Sequence, residues 1–460
     1  MNYDAIILGA GQAGPSLGSR LTGAGMKVAL VERKFLGGTC VNTGCMPTKA
    51  LVASAYAAHL ARRAADYGVI LEGGAASVTI DMKKAHARSL GVTEHARAGV
   101  EKWLLGMPGC TLLRGHARFE GPHTMRVGDE LLTAPRIFLN VGGRAIVPDM
   151  PGVREVPFLN NTSMLALDRV PQHLLVVGGS YIGLEFAQMF RRFGAEVTVV
   201  EKSSRLIPRE DEDVSQAIRE ILEAEGITVR TRAECIGLKP HAQGAAITLD
   251  CSEGPPLAVG TDVLLAVGRR PNTDDLGLDR AGIAVDAHGY IQVDETLETS
   301  VPGVWALGDC NGRGAFTHSS YNDYEIVAAN LLDGEHRTVS QRLLAYGLFI
   351  DPPLGRVGLT EAQARAAGRP LLIAKRPMTR VNRAVEKGET LGFMKAVVDQ
   401  ETRKILGAAI LGVGGDEAIH GVLDVMHAGL AYDVLRWAVP IHPTVSELIP
   451  TLLLDLKPAE

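Results

Sequence analysis

Two cysteines near the start of the chain have the residue type and spacing for redox chemistry. Cys40 and Cys45 lie in the segment GGTCVNTGCMPTK, residues 37–49, which follows the glycine-rich turn of residues 9–14. Two thiols at this spacing can form a disulfide, and the start of a helix lowers the pKa of a thiol and favours the reactive thiolate. These features predict a cofactor-linked dithiol/disulfide centre.

Composition narrows the class of protein. The chain has 460 residues, of which 46% are hydrophobic and 22% charged, as in a globular protein of roughly two to four domains. The net charge of −5 and the aromatic content of 5% argue against nucleic acid as a partner. There is no signal-peptide pattern and no apolar run of membrane-spanning length, so we expect a cytoplasmic protein. The cysteines outside the pair occur singly and are expected to be inert buried thiols: Cys110, Cys235, Cys251 and Cys310.

A strand–turn–helix–strand pattern occurs twice. The first copy begins with the apolar run of residues 5–8 and ends at Glu32, and the second begins at residues 174–177 and ends at Glu201. Apolar runs of this length suit buried parallel strands, and a glycine-rich turn before a helix binds a pyrophosphate. The repeat therefore predicts an α/β protein with two Rossmann-like nucleotide-binding domains.

The residues of the two turns indicate which nucleotides bind. Small residues let the backbone approach the pyrophosphate, and the glycines concerned are Gly9, Gly11, Gly14, Gly178 and Gly183. Glu32 and Glu201 are placed to accept hydrogen bonds from a ribose. Glu201 would repel a 2′-phosphate, although Lys202 and Arg205 follow it. We therefore expect NADH, with NADPH as the open alternative.

The remaining parts of the chain have a different character. The acidic run of residues 210–213 is expected to be the solvated start of a helix rather than a metal site, and we predict no metal site elsewhere. After about residue 340, strand-like segments and the capping box Thr360-x-x-Gln363 predict a third, α+β domain.

Taken together, the motifs resemble the class I pyridine nucleotide–disulfide oxidoreductase family, which includes lipoamide dehydrogenase, glutathione reductase and mercuric reductase. The resemblance covers the whole chain and depends on residues 37–49 together with GGSYIGLE at 178–185, AVGRRPNT at 266–273, ALGD at 306–309 and HPTVSE at 442–447. It implies an FAD-binding domain, an NAD(P)H-binding domain and a C-terminal dimerisation domain. The implied limits are 1–148 with 270–338 for the first, 149–269 for the second and 339–460 for the third.

The resemblance also implies a role for each motif position. Cys40 would meet the substrate, and Cys45 would lie against the flavin. Lys49 would lie near the reactive edge of the flavin, paired with Glu185, and Tyr181 would gate the nicotinamide pocket. Further positions implied to bind FAD or the nucleotide are Thr39, Gly142, Gly268, Gly308 and Asp309.

His442 and Glu447 resemble the acid–base dyad of the thiol-reducing members. A carboxylate behind an imidazole fixes its tautomer and raises its basicity, which suits a proton acceptor for thiol exchange. In the family this segment reaches the disulfide of the other subunit, so the resemblance implies an obligate homodimer. His318 is expected to pack near the flavin.

The sequence predicts the substrate less directly than it predicts the fold and the cofactors. Residues 206–211, 316–324 and 349–358 resemble the mercuric-reductase-like branch, which includes the flavoprotein of bacterial reactive-chlorine resistance, described as a copper(II) reductase. The last cysteine is Cys310, so the cysteine pair that hands mercury over in typical mercuric reductases is missing. We expect reduction of a disulfide or a thiol-ligated metal. The alternatives are a dihydrolipoamide dehydrogenase and a redox-responsive flavin-binding protein with little turnover.

Overall fold

The computed structural model describes residues 1–250 and 254–459, without the side chains of Cys235 and Asp250. Cys251 and the side chain of Cys235 therefore lie outside the described residues. The strands, in chain order, are β1 Ala5–Leu8, β2 Val28–Glu32, β3 Cys110–Arg114, β4 Ala117–Gly121, β5 Thr124–Val127, β6 Glu130–Thr133, β7 Ile137–Leu139, β8 Gly143–Ala145, β9 His173–Val177, β10 Glu196–Val200, β11 Thr228–Arg230, β12 Glu234–His241, β13 Gly244–Asp250, β14 Leu257–Gly260, β15 Asp262–Leu265, β16 Arg269–Pro271, β17 Val304–Ala306, β18 Ala345–Leu348, β19 Leu354–Gly358, β20 Leu371–Pro377, β21 Phe393–Asp399, β22 Ile405–Leu411 and β23 Lys457–Pro458. The helices are α1 Ala13–Gly23, α2 Gly38–Thr43, α3 Cys45–Arg62, α4 Met82–Leu105, α5 Asn161–Leu165, α6 Tyr181–Phe193, α7 Glu212–Ala224, α8 Leu278–Ala281, α9 Thr317–Leu332, α10 Glu361–Ala366, α11 Asn382–Glu386, α12 Gly415–Ala418, α13 His420–His427, α14 Asp433–Arg436 and α15 Leu448–Leu454.

The first sheet is parallel and has the strand order β17–β7–β1–β2–β3. Every residue of β1 is buried, which its apolar sequence requires of a strand covered on both faces. Leu17 and Leu21 of α1 pack with Ile326 and Val327 of α9 in the core on one side of this sheet. Because β17 and α9 come from far along the chain, two separate stretches of sequence build this unit.

The second sheet is also parallel, with the order β11–β10–β9–β15, which confirms the predicted pair of Rossmann-like units. Helix α6 covers one face of this sheet and is buried over most of its length. The hydrophobic core around α6 also includes residues of α3 in the first unit and of the C-terminal strands, since Leu51, Phe190 and Leu348 belong to one cluster. This shared core fixes α6 between the three units.

The third unit is an antiparallel sheet of six strands in the order β18–β19–β22–β21–β20–β23, as expected of an α+β domain. The predicted capping box is present. The Thr360 hydroxyl accepts a hydrogen bond from the backbone N–H of Gln363, and the Gln363 side chain accepts one from the backbone N–H of Thr360. None of the helices in the described ranges has the length and apolar character to span a bilayer.

The prediction of a solvated acidic helix start at residues 210–213 is wrong. Glu210 and Asp211 are only 2% and 5% exposed. Glu210 forms an ion pair with Arg356 of β19, and Asp211 lies 3.4 Å from the ammonium of Lys395 on β21. The acidic run does begin α7, but it also joins the second unit to the third.

The last glycine of each glycine-rich turn is packed too tightly to carry a side chain. A Cβ on Gly14 would lie 2.2 Å from the carbonyl oxygen of Gly9, and one on Gly183 would lie 2.1 Å from the carbonyl oxygen of Gly178. In each unit the helix therefore packs directly against the end of the first strand.

We expect Gly14→Ala to lower the free energy of unfolding by about 1–3 kcal/mol, because the strand or the helix must shift to admit the methyl group. Gly23→Ala at the other end of α1 is the matched control, since a Cβ there meets nothing within 4 Å. Urea unfolding measures both variants. Equal effects of the two substitutions would show that the close contact of the turn is unimportant for stability.

Candidate redox site

Cys40 and Cys45 lie on two successive helices, and both are free thiols in the structure. Cys40 is in α2, next to the exposed Thr39, and Cys45 is the first residue of α3. The Cys45 sulfur lies 3.2 Å from the hydroxyl oxygen of Thr317, the first residue of α9. The N-terminal ends of two helices thus converge on this sulfur, where their partial positive charge favours an anion.

The surroundings make Cys45 the thiolate of the pair. A hydrogen bond from Cys40, another from Thr317 and the charge of Lys49 outweigh burial and lower the pKa of Cys45 to about 6. The pKa of Cys40 is raised, first because it donates this hydrogen bond to Cys45 and second because it is buried. The negative charge therefore resides on Cys45 near neutral pH.

Cys110 and Cys310, the two other cysteines whose side chains the structure describes, have no such surroundings. Burial raises the pKa of Cys110, and it raises that of Cys310 to about 12. Cys310 is fully buried and donates to the carbonyl oxygens of Leu139 and Leu307. Cys310 thus has the buried, protonated character expected from the sequence, whereas Cys110 is only half-buried, although its pKa is also raised.

Lys49 and Glu185 form the pair that the resemblance implied. The Lys49 ammonium lies 2.6 Å from one carboxylate oxygen of Glu185, whose other oxygen accepts the N–H of Phe349 at 3.0 Å. The ammonium also lies 4.5 Å above the centre of the Phe349 ring. Glu185 is 7% exposed, so a buried carboxylate connects the first unit, α6 and the third unit.

The two acidic residues that end β2 and follow β10 occupy equivalent positions. Glu32 accepts the N–H of Ala10 at 3.0 Å, and Glu201 accepts the N–H of Gly179 at 2.7 Å. The backbone N–H two residues after each acid donates to its other oxygen, at 2.8 and 2.7 Å. The predicted repeat thus extends to individual hydrogen bonds.

The two glycine-rich turns and the helix starts that follow them fit the phosphates of FAD and of a pyridine nucleotide. Helices α1 and α6 begin without a side-chain hydrogen bond at the N-cap, as do most helices of the described residues. Uncapped first-turn N–H groups behind a glycine turn are the donors that a pyrophosphate requires. Both turns can therefore hold a dinucleotide without displacing a protein group.

The other implied cofactor positions lie where the chain crosses between the first two sheets. Gly142 and Gly268 have φ values of +64° and +126° and flank the paired strands β8 and β16. Gly308 has a φ of +72° and donates its N–H to Asp323. Asp309 is half-buried, 3.6 Å from Arg269, and its burial raises the pKa of its carboxyl group.

An aromatic cluster beside the thiols was only partly visible in the sequence. The rings of Phe316 and Tyr346 stack 5.6 Å apart, and the predicted gate Tyr181 meets both edge-on, at 6.1 and 5.5 Å. His318 stacks on Phe316 at 5.4 Å and bonds to the carbonyl oxygen of Ala345. Phe316 and Tyr346 were not predicted, because they are 30 residues apart on a helix cap and a strand.

His442 and Glu447 form the expected dyad, with Nδ1 of the imidazole 2.8 Å from the carboxylate. The imidazole is 69% exposed and the carboxylate 12%. Across residues 1–250 and 254–459, no hydrogen bond or ion pair links His442 to Cys40 or Cys45. No cluster of three metal-ligating side chains occurs in these ranges either.

This combination of two dinucleotide folds and a helix-bound thiol pair defines a flavin-linked disulfide oxidoreductase. The family model described as pyridine nucleotide-disulphide oxidoreductase matches residues 3–323, and that of the corresponding dimerisation domain matches residues 344–453. The chain belongs to this family, whose members are FAD-dependent and use a pyridine nucleotide, and it acts on sulfur groups.

Particular relatives cover almost the whole chain. The chain is 37% identical to the probable pyridine nucleotide-disulfide oxidoreductase RclA of Escherichia coli (strain K12), with 99% of each chain covered. It is 34% identical to a dihydrolipoyl dehydrogenase of Thermus scotoductus, over 97% of this chain and 95% of the relative. The solved Cu(II) complex of the HOCl-induced flavoprotein disulfide reductase RclA from Escherichia coli is 35% identical, has a TM-score of 0.88, and is matched over 98% of this chain and 99% of that one.

The pH dependence of thiolate formation follows from these contacts. We expect the ultraviolet thiolate absorbance of the reduced protein to rise with a midpoint near pH 6, since the pKa of Cys45 is lowered to about 6. Cys45→Ser should remove this step. Thr317→Val should raise the midpoint by roughly one pH unit, because the thiolate loses a hydrogen-bond donor, whereas Thr317→Ser should not. A step that survives in Cys45→Ser would assign the thiolate to another residue.

Proposed function

We propose that the protein passes electrons from NADH, through FAD, to a disulfide of Cys40 and Cys45, and from this dithiol to a small disulfide or a thiol-ligated metal ion. The observation that carries the proposal is the position of Cys45 between two helix N-termini, with Thr317 and Lys49 lowering its pKa. A thiolate stabilised in this way is a good leaving group and a good electron donor.

We assign FAD to residues 1–148 and 270–338, and the nicotinamide nucleotide to residues 149–269. When bound, FAD accepts a hydride equivalent from the nicotinamide and delivers an electron pair to sulfur. The chain's own residues would bind and orient it: the turn of residues 9–14 would hold the pyrophosphate, Glu32 would accept hydrogen bonds from a ribose, and Asp309 would contact the ribityl or pyrophosphate segment. Lys49 supplies positive charge beside Cys45, where negative charge develops on reduction.

The proposed exchange balances in electrons and protons. Two electrons and one proton convert the Cys40–Cys45 disulfide to a Cys40 thiol and a Cys45 thiolate. Deprotonated Cys40 then attacks a sulfur of the substrate disulfide, and the leaving thiolate takes up a proton. Cys45 attacks Cys40 in the mixed disulfide, which releases the second substrate thiolate and restores the protein disulfide.

In this scheme His442 accepts the proton of the Cys40 thiol and returns it to the leaving thiolate. Glu447 binds Nδ1, so Nε2 is the nitrogen that exchanges protons with Cys40 or with the leaving group. Within the described residues, His442 forms no hydrogen bond or ion pair with the thiols of its own chain, so we propose that it serves the other subunit of a homodimer. The matched dimerisation domain supports this, as do the exposed side chains that precede the dyad: Trp437 at 73%, Val439 at 96% and Ile441 at 80%.

Two relatives suggest different electron acceptors. The similarity to a flavoprotein disulfide reductase solved with Cu(II) supports the mercuric-reductase-like branch and a metal or disulfide substrate. The similarity to a dihydrolipoyl dehydrogenase keeps lipoamide as the second candidate. A cytoplasmic location belongs to the proposal as well, because a cysteine pair that cycles between thiol and disulfide is typical of a reducing compartment.

The electron acceptor can be tested directly. The purified enzyme is reduced with NADH without oxygen, and its reoxidation by lipoamide is compared with that by Cu(II). We expect saturable reoxidation by Cu(II), slow reoxidation by lipoamide, and a loss of more than about 100-fold in Cys40→Ser, since the flavin would lose its route to the acceptor. Cys110→Ser is the control. Fast reoxidation by lipoamide alone would contradict the branch assignment, and unchanged rates in Cys40→Ser would contradict the proposed function.

The nucleotide preference follows from Glu201. Its buried carboxylate is fixed by two backbone N–H groups, and Arg205 donates to the carbonyl oxygens of Pro208 and Glu210. We therefore expect kcat/KM for NADH to exceed that for NADPH by roughly tenfold or more, because a 2′-phosphate would meet a fixed negative charge. Glu201→Gln should reduce the difference. A preference of the unaltered enzyme for NADPH would contradict this assignment.

A further inference from the structure

A buried ion pair holds one ring of the aromatic cluster in place. Tyr346 and Arg356 are cross-strand partners on β18 and β19, and both contact Glu210 of the second unit. The Tyr346 hydroxyl donates to one carboxylate oxygen, and the Arg356 guanidinium donates to the other, with Nε at 3.0 Å. Arg356 is 1% exposed and Glu210 is 2% exposed.

Removing the charges of Arg356 and Glu210 from water costs free energy, which indicates that this ion pair has a role other than stability. Burial of a charge pair of this kind gives little or no net stability over apolar residues of the same shape, and in some proteins such a pair fixes one geometry instead. The geometry fixed here is that of the Tyr346 ring. Its hydroxyl remains protonated, because burial and the nearby Glu210 carboxylate raise its pKa, so the hydrogen bond persists over the physiological pH range.

The fixed ring contacts the proposed gate. Tyr181 meets the Tyr346 ring at 5.5 Å with an interplanar angle of 84°, and the Phe316 ring at 6.1 Å with an angle of 89°. Both contacts are the favourable edge-to-face arrangement of aromatic rings. Tyr181 thus lies edge-on to two nearly parallel rings, and the Tyr346 ring is anchored by its hydrogen bond to Glu210.

We propose that Glu210 and Arg356 hold Tyr346 as a latch that keeps Tyr181 closed over the nicotinamide position. This inference rests on the proposed function, which assigns the nicotinamide nucleotide to residues 149–269, and on the gate role that the family resemblance implies for Tyr181. Tyr346 and Glu210 are positioning residues here, because they act through Tyr181. A nucleotide that binds only the open form has an apparent affinity reduced by the fraction of protein that is open, so release of the latch raises that affinity.

The test removes one hydroxyl group. In the holoenzyme, Tyr346→Phe should lower the KM for NADH and the Kd for NAD⁺ together, by roughly three- to tenfold, with kcat nearly unchanged. In a Tyr181→Ala background the same substitution should have no effect, since the gate is gone. The matched control is Tyr56→Phe, which removes another tyrosine–glutamate hydrogen bond, 2.7 Å to Glu389, away from the cluster.

The outcomes separate the latch from the proposed function. A normal melting temperature with an unchanged or weaker Kd for NAD⁺ in Tyr346→Phe would overturn the latch, as would an equal change in the Tyr181→Ala background. If Tyr346→Phe does not fold, Phe316→Leu removes the other edge-to-face contact and should also tighten NAD⁺ binding; weaker or unchanged binding there overturns the latch. An unaltered holoenzyme whose flavin is not reduced by NADH or NADPH would overturn the proposed function itself.

Discussion

The position of the Glu185 carboxylate determines how the three units fit together. It lies on α6 of the second unit and accepts hydrogen bonds from Lys49 of α3 and from the backbone of Phe349 in the third unit. A buried carboxylate is costly unless its oxygens are paired, so the three units are held in the arrangement that pairs it. One helical turn further along α6, Gln188 forms two hydrogen bonds with the backbone of Asp351, and Arg192 binds its carboxylate.

This constraint reaches the thiols through α3. Lys49 is one turn from Cys45 on the same helix, so the ion pair that fixes Lys49 also fixes the first turn of α3. The sulfur of Cys45 is then set against Thr317, whose helix α9 is held by its packing on α1. The low pKa of Cys45 therefore depends on the junction of the units as well as on its place at a helix start.

Local patterns in the sequence predicted local structure well. The glycine turns, the strand-terminal acids and the Thr360 capping box each depend on residues within one strand–helix unit, where spacing determines geometry. The acidic run was misjudged because its start-of-helix pattern is correct, whereas its partners Arg356 and Lys395 come some 146 and 184 residues later. The same reason hid Tyr346, which packs on Tyr181 but follows no periodic pattern.

The third unit has a larger part in the site than its distance in sequence from the thiols suggests. Its strand β18 carries Tyr346 against Tyr181, and its C-terminal segment carries the dyad of His442 and Glu447. In the two proposals above, the contact of Tyr346 with Tyr181 acts on nucleotide binding. The dyad acts on the substrate at the thiols. Both segments pack on one buried core of the third unit, since Ala345 of β18 and Val445 of the dyad segment lie against the same hydrophobic cluster. Because the proposed function assigns the dyad to the thiols of the other subunit, the third unit of one chain would contribute to two sites of the homodimer.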